Sequence, residues 1–211
     1  MKKRRAMKNL ILTSGGYFDG QRGQELDELI EKISYGKKVL MVENATITGC
    51  VVASVKPTIF ENFKKLNTHV GMLVINENNL DKIFDYDVIY LMGGDNLPMI
   101  EIAKIANISE AFRKFLSKGG YIIGESGGSM IFGKDLKWRY DVMKTVKPQY
   151  NITLPSYKGL GLLDLNIYPH WNKRSEKERQ IALEYEKTNN IKIKYLNDGE
   201  WLEFGVEDLI V

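Results

Sequence analysis

The chain is short of the residues that make cross-links, metal cages and membrane spans, and each shortage closes a class of explanation. It holds one cysteine, Cys50, in 211 residues, so no disulfide can form within it, and a reducing cytoplasm is the expected compartment. With that single thiol and two histidines far apart in the chain, His69 and His170, no zinc set and no other metal or cofactor is expected. Long apolar runs are missing as well. No stretch approaches the ~18 apolar residues of a membrane helix, so no membrane partner is expected. Leu10-Ile11-Leu12, behind the basic Met1-Lys2-Lys3-Arg4-Arg5, falls short of the ~7 residues of a signal-peptide core. The 30 basic residues exceed the 27 acidic ones by only three, partly through that opening. No basic stripe interleaved with aromatics follows, so no nucleic-acid partner is expected.

What remains is a length and composition suited to one globular domain over residues 1–211, with residues 1–7 as a disordered overhang and Met7 as an alternative start. Largely apolar stretches at 9–13, 38–42, 70–75, 88–92 and 121–124 read as strands. Between them, helical spacing marks 24–34, 57–66 (with Pro57 in the first turn), 97–105 and 109–118, the last stopped by Gly119-Gly120. Strands that are apolar throughout and alternate with helices point to a parallel sheet covered on both faces. Residues 44–56 read as a loop, and 134–158, polar and rich in Lys and Tyr, as a connection with a short hairpin. Beyond them the pattern gives a strand over 161–168 and a helix over 176–188 with Ile181, Leu183 and Tyr185 on its apolar face. Strands over 191–196, 201–204 and 209–211 close the chain.

The stretch with most chemistry in it is Gly124-Glu125-Ser126-Gly127-Gly128, a G-x-S-x-G pattern between an apolar run and a helix. A sharp strand-to-helix turn crowds the serine's neighbours, and residues without Cβ relieve that crowding. Such a turn exposes Ser126 Oγ, aims the Gly127 N–H at the oxygen of an attacked carbonyl, and sets the positive end of the next helix beneath it. A serine needs a base. His170, after Pro169 at a strand end, suits that role better than His69, which reads as a partly exposed strand-end residue. An orienting carboxylate could come from Asp135, Asp141, Asp164 or Asp198. Gly93-Gly94, in the turn after another strand, offers a second oxyanion donor. Ser14-Gly15-Gly16 lacks the Lys and the spacing of a phosphate loop and reads as a turn.

Four ordered blocks, Met92-Gly93-Gly94-Asp95-Asn96, Gly124 to Gly128, Tyr168-Pro169-His170-Trp171 and Asn197-Asp198-Gly199-Glu200-Trp201, together resemble the peptidase E family, the aspartyl dipeptidases related to cyanophycinases. The resemblance implies a class I glutamine amidotransferase-like, flavodoxin-like fold: a three-layer α/β sandwich on a mostly parallel sheet. A monomer or homodimer is expected. It implies hydrolysis of short peptides with Ser126 as nucleophile, His170 as base, Asp198 as orienting acid, and Gly94 with Gly127 as oxyanion donors. Gly127 stands where the family commonly has alanine, and Asp198 where it often has glutamate. Lys177 falls where the family's arginine grips the substrate aspartate, with Arg174 and Arg179 as neighbouring candidates. Two rival readings share parts of the pattern. An esterase of the α/β-hydrolase kind would need its acid between serine and histidine, and a ligand-binding relative of the amidotransferases would catalyse nothing.

Overall fold

A computed structural model describes residues 7–17, 23–44, 52–94, 96–146 and 156–210 of the protein. The expected overhang, apart from Met7, lies outside the described residues, as do Cys50, most of the expected 44–56 loop, and 147–155. Six strands, β1 (Lys8–Thr13), β2 (Lys38–Val42), β3 (His69–Leu73), β4 (Val88–Leu91), β5 (Tyr121–Glu125) and β8 (Trp201–Gly205), form one sheet. Its order is β3-β2-β4-β5-β1-β8, parallel throughout except for β8 against β1. β6 (Asn166–Tyr168) and β7 (Ile193–Tyr195) make a small parallel pair of their own.

Alternation along each inner strand sends side chains to two separate cores, as a pleat with helices on both sides requires. Ile11, Val39, Met41, Val88, Tyr90 and Ile123 face one way, against Leu26 and Ile30 of helix α1 (Gln24–Ser34) and Ile59 and Phe63 of α2 (Val52–Lys65). Leu10, Leu12, Leu40, Val42, Ile89, Leu91 and Ile122 face the other way. That second layer comprises α3 (Asn96–Lys104), α4 (Ile108–Ser117), the single turn α5 (Gly127–Met130), α6 (Lys137–Val146) and α7 (Glu176–Asn189). The three-layer α/β sandwich expected from the sequence is thus the observed architecture.

Several local expectations are corrected. Helix α2 starts at Val52, five residues before Pro57, which lies inside it. Pro57 forfeits one backbone hydrogen bond, a defect of ~3 kcal/mol in an isolated helix, while Ile59 and Phe63 are fully buried on the same helix. The 134–158 connection contains α6, whose Trp138 and Val142, one helical turn apart, are buried. The only pairing there among the described residues is an isolated bridge between Asp135 and Lys158. The strand expected over 161–168 is confined to its last three residues. Leu183 is 49% exposed; Ala182 is the buried apolar residue of α7. After β8 the chain makes a short 3₁₀ turn, Val206–Asp208, instead of a strand at 209–210, and Val211 lies outside the described residues.

What matters for the site is register. Thr13 pairs with Glu125 and Leu91 with Gly124, so the chain leaves β1, β4 and β5 at one rim of the sheet, through Ser14, Gly93 and Ser126.

Candidate active site

Ser126 occupies the sharp turn between β5 and α5 at φ 49° and ψ −109°, a backbone conformation that costs a non-glycine residue of order 1–3 kcal/mol. Packing holds it there. A Cβ on Gly128 would strike the Leu91 backbone carbonyl, and one on Gly124 would come within 2.8 Å of Gly128 O. The Ser126 N–H donates to Thr13 O at 3.0 Å, while Ser126 O accepts from Ser129 N at 3.0 Å and Met130 N at 3.2 Å. Because α5 is one turn long, the positive end beneath the serine is a few local N–H groups rather than a long helix dipole.

Ser126 Oγ lies 2.9 Å from His170 Nε2, and His170 Nδ1 lies 2.5 Å from Asp198 Oδ1. A carboxylate only accepts, so the proton belongs on Nδ1, which leaves the Nε2 lone pair for the serine hydroxyl. His170 is left-handed, at φ 58° and ψ 36°, between β6 and a 3₁₀ turn, Trp171–Lys173. Asp198, 7% exposed at its side chain, is also ion-paired through Oδ2 with Lys173 Nζ at 2.5 Å, and its N–H donates to Asn172 Oδ1 at 3.0 Å. The other carboxylates considered are engaged elsewhere. Asp135 receives the Lys137 N–H, Asp141 meets Lys137 and Tyr185, and Asp164 sits between Lys134 and Lys192. Those two lysines hold the Asp164 carboxyl down at about 2.

The turn after β4 lies against Ser126: a Cβ on Gly93 would come 3.0 Å from Ser126 Cβ. Gly94 adopts φ 137°, a region open to glycine and rarely to other residues. Beneath this turn is Glu125, 2% exposed, whose Oε2 accepts from the Tyr90 hydroxyl at 2.9 Å, while that hydroxyl accepts from the Tyr17 N–H at 2.9 Å. Burial, then the Glu125 charge, pushes the Tyr90 phenol well above its ordinary range.

The three cations considered for the substrate differ in their commitments. Arg174 donates to Pro169 O at 3.1 Å, with its Nε 3.6 Å from Glu178 Oε1 and its guanidinium over the Tyr168 ring. It belongs to a buried cluster in which Arg139 donates to Tyr168 Oη at 2.9 Å and Glu178 at 3.2 Å, and the Tyr168 hydroxyl bonds Glu178. Burial lowers the Arg139 pKa and raises that of Tyr168. Arg179 is paired with Glu176 along α7 at 2.8 Å. Lys177, exposed in the first turn of α7, has no ion-pair partner among the described residues. His69 is exposed at the start of the edge strand β3. Sequence reasoning missed Ser14, Asn172 and Lys173, all of which contact Asp198 or His170; only their nearness to strand ends hinted at it.

A serine hydroxyl bonded to an imidazole that is bonded in turn to a carboxylate, at the rim of a parallel sheet, defines a serine-type hydrolase. Comparison with known proteins narrows the class. Residues 10–211 match the model of peptidase family S51, and the chain belongs to that family. It is 28% identical over 189 residues to a Listeria monocytogenes protein described as an uncharacterized peptidase, covering 85% of this chain and 86% of that one. Over 130 residues, 58% of this chain and 51% of the relative, it is 24% identical to peptidase E of Streptomyces coelicolor. In structure it resembles a Listeria monocytogenes protein provisionally assigned as peptidase E, with TM-score 0.72, 22% identity and coverage of 97% and 98%. A peptidase from an acI-B1 actinobacterium gives TM-score 0.65 at 16% identity over 95% of this chain and 84% of that one. The protein is therefore a serine peptidase, and among its described residues no helix is long and apolar enough to cross a membrane.

Proposed function

We propose that the protein cleaves short peptides, dipeptides foremost, with Ser126 as nucleophile. Ser126 Oγ attacks the scissile carbonyl while His170 Nε2 takes its proton, and Asp198 steadies the imidazolium that forms. The N–H groups of Gly94 and Gly127 receive the oxyanion. His170 then gives the proton to the leaving amine, and water, activated by the same imidazole, frees the acyl-enzyme. The observation that carries this reading is the unbroken relay of 2.9 Å and 2.5 Å from hydroxyl to imidazole to carboxylate. Its order along the chain, serine, histidine, acid, is the reverse of the esterase order for the last two members.

For the substrate side chain we assign Lys177, the candidate cation not committed to a neighbouring carboxylate or carbonyl. A lone ammonium attracts an acidic side chain without the two-point grip of a guanidinium, so a preference for acidic residues weaker than an arginine would give is expected. The compartment assigned is the cytoplasm, on the chain's single thiol, with the protein acting as a monomer or homodimer. A dipeptide library varied at its N-terminal residue, with Ser126→Ala as control, tests both parts. Cleavage should favour acidic dipeptides, lose that preference in Lys177→Met, and vanish in Ser126→Ala. Undiminished hydrolysis by Ser126→Ala would overturn the nucleophile, and an unchanged acidic preference in Lys177→Met would overturn the specificity residue.

A further inference from the structure

We infer that Ser14, in the turn after β1, is a positioning residue that sets the base and the acid of the site relative to the nucleophile. The inference rests on the roles proposed above for Ser126, His170 and Asp198, and on four hydrogen-bond contacts converging on one buried residue. Ser14 is fully inaccessible to solvent. Its Oγ accepts from the His170 backbone N–H at 2.7 Å and lies 3.2 Å from both Leu196 O and Asp198 Oδ1. Its own N–H donates to Glu200 O at 3.1 Å. A hydroxyl has one proton and two lone pairs. Having accepted from His170, it directs its proton between the Leu196 carbonyl and the Asp198 carboxylate.

Those contacts matter because of what they hold. His170 is left-handed without being glycine, and such a residue keeps its conformation only where its surroundings impose it. On the next residue, the Trp171 N–H donates to Leu196 O at 2.9 Å, so Leu196 O and Ser14 Oγ together engage two successive amides of the loop that carries the base. Asp198 Oδ1 meets both His170 Nδ1 and the Ser14 hydroxyl, while Oδ2 faces Lys173. One residue earlier in the chain, Thr13 O accepts from the Ser126 N–H at 3.0 Å and from Ser129 Oγ at 2.8 Å. Thr13 therefore holds the nucleophile's turn and Ser14 holds the base, with a single peptide unit fixing the distance between them. Ser14, inaccessible to solvent, acts through His170 and Asp198.

The test uses Ser14→Ala in the full chain, read in two ways. With a cleaved dipeptide, kcat should fall about 10²-fold, the cost of a displaced catalytic group, with KM changed less than about twofold. Independently of any substrate, His69→Gln leaves His170 as the sole imidazole, so its ring N–H resonance can be followed in ¹⁵N-labelled protein. The hydrogen-bonded Nδ1–H signal should be present in His69→Gln and be shifted or broadened away when Ser14→Ala is added. A kcat within about twofold of wild type would overturn the inference. So would a fall in kcat with that signal unmoved, since the loss would then arise elsewhere. If Ser14→Ala does not fold, Ser14→Cys keeps the side-chain shape, with a slightly larger atom, while weakening the hydrogen bonds, and the same outcomes apply to it. A wild type inactive on peptides would sink the functional reading, yet the imidazole signal would still decide for or against Ser14.

Discussion

The two halves of the site are held by different physics. Ser126 stands where two buried parallel strands and a one-turn helix meet, and its strained backbone is fixed by close packing: Gly124, Gly128 and Gly93 each leave no room for a Cβ without displacing backbone or the serine itself. His170 and Asp198 sit on loops beside the two-stranded β6–β7 pair, outside the main sheet. Their positions depend on side-chain hydrogen bonds and ion pairs, from Ser14, Asn172, Lys173 and Arg174. Packing is stiff because it fails only when volume changes. A polar network is selective instead, since each member must be satisfied and losing one exposes the others. The proposed nucleophile should therefore be sensitive to added atoms, and the proposed acid and base to lost partners.

The largest effect on that comparison is expected from Arg139→Met. Arg139 and Glu178 have side chains exposed by about a tenth and lie behind the loop that begins at Pro169. Removing Arg139 leaves the buried Glu178 with only the more distant Arg174 Nε, 3.6 Å away, and stability should drop toward the roughly 3–5 kcal/mol of a broken buried pair, measured by urea denaturation. An unchanged midpoint would mean that packing, rather than polar contacts, secures this side as well.

A smaller effect is expected from Lys173→Met, because Lys173 is 58% exposed and solvent screens it. Its ammonium offsets part of the Asp198 charge felt by His170. Without it the imidazole keeps its proton to higher pH, so the acid limb of kcat/KM should move upward, by less than about one pH unit. A downward movement in the pH profile would reverse the assigned electrostatics.

The same contrast governs what could be read from the sequence. Up to Met130, helices and strands follow apolar periodicity, and α1 and β2 fall within their expected bounds. The elbow was legible because its glycines are forced by sterics acting within a few residues. The second half was less so. α6 hides its buried Trp138 and Val142 among Lys, Arg and Tyr, and the buried Arg139 is explained by Tyr168 and Glu178, 29 and 39 positions away. Pro57 misplaced the start of α2, since tertiary burial outweighed the local preference that puts proline in a first turn. Among four candidate carboxylates, resemblance to a family and not spacing singled out Asp198. Ser14 carried no signal beyond its place after a strand, because the partners of its hydroxyl lie 156 to 184 residues further along the chain. Arg174, one of the substrate-ligand candidates in the sequence, donates in the fold to the Pro169 carbonyl, just before His170.

The central claim is that the hydroxyl at 126 is activated by the imidazole at 170. Reaction with a fluorophosphonate followed by peptide mass spectrometry measures this directly, in wild type and in His170→Ala. The account predicts rapid modification of Ser126 in wild type and little or none in folded His170→Ala. Equal labelling of the two proteins, or an unlabelled Ser126 in wild type, would contradict it.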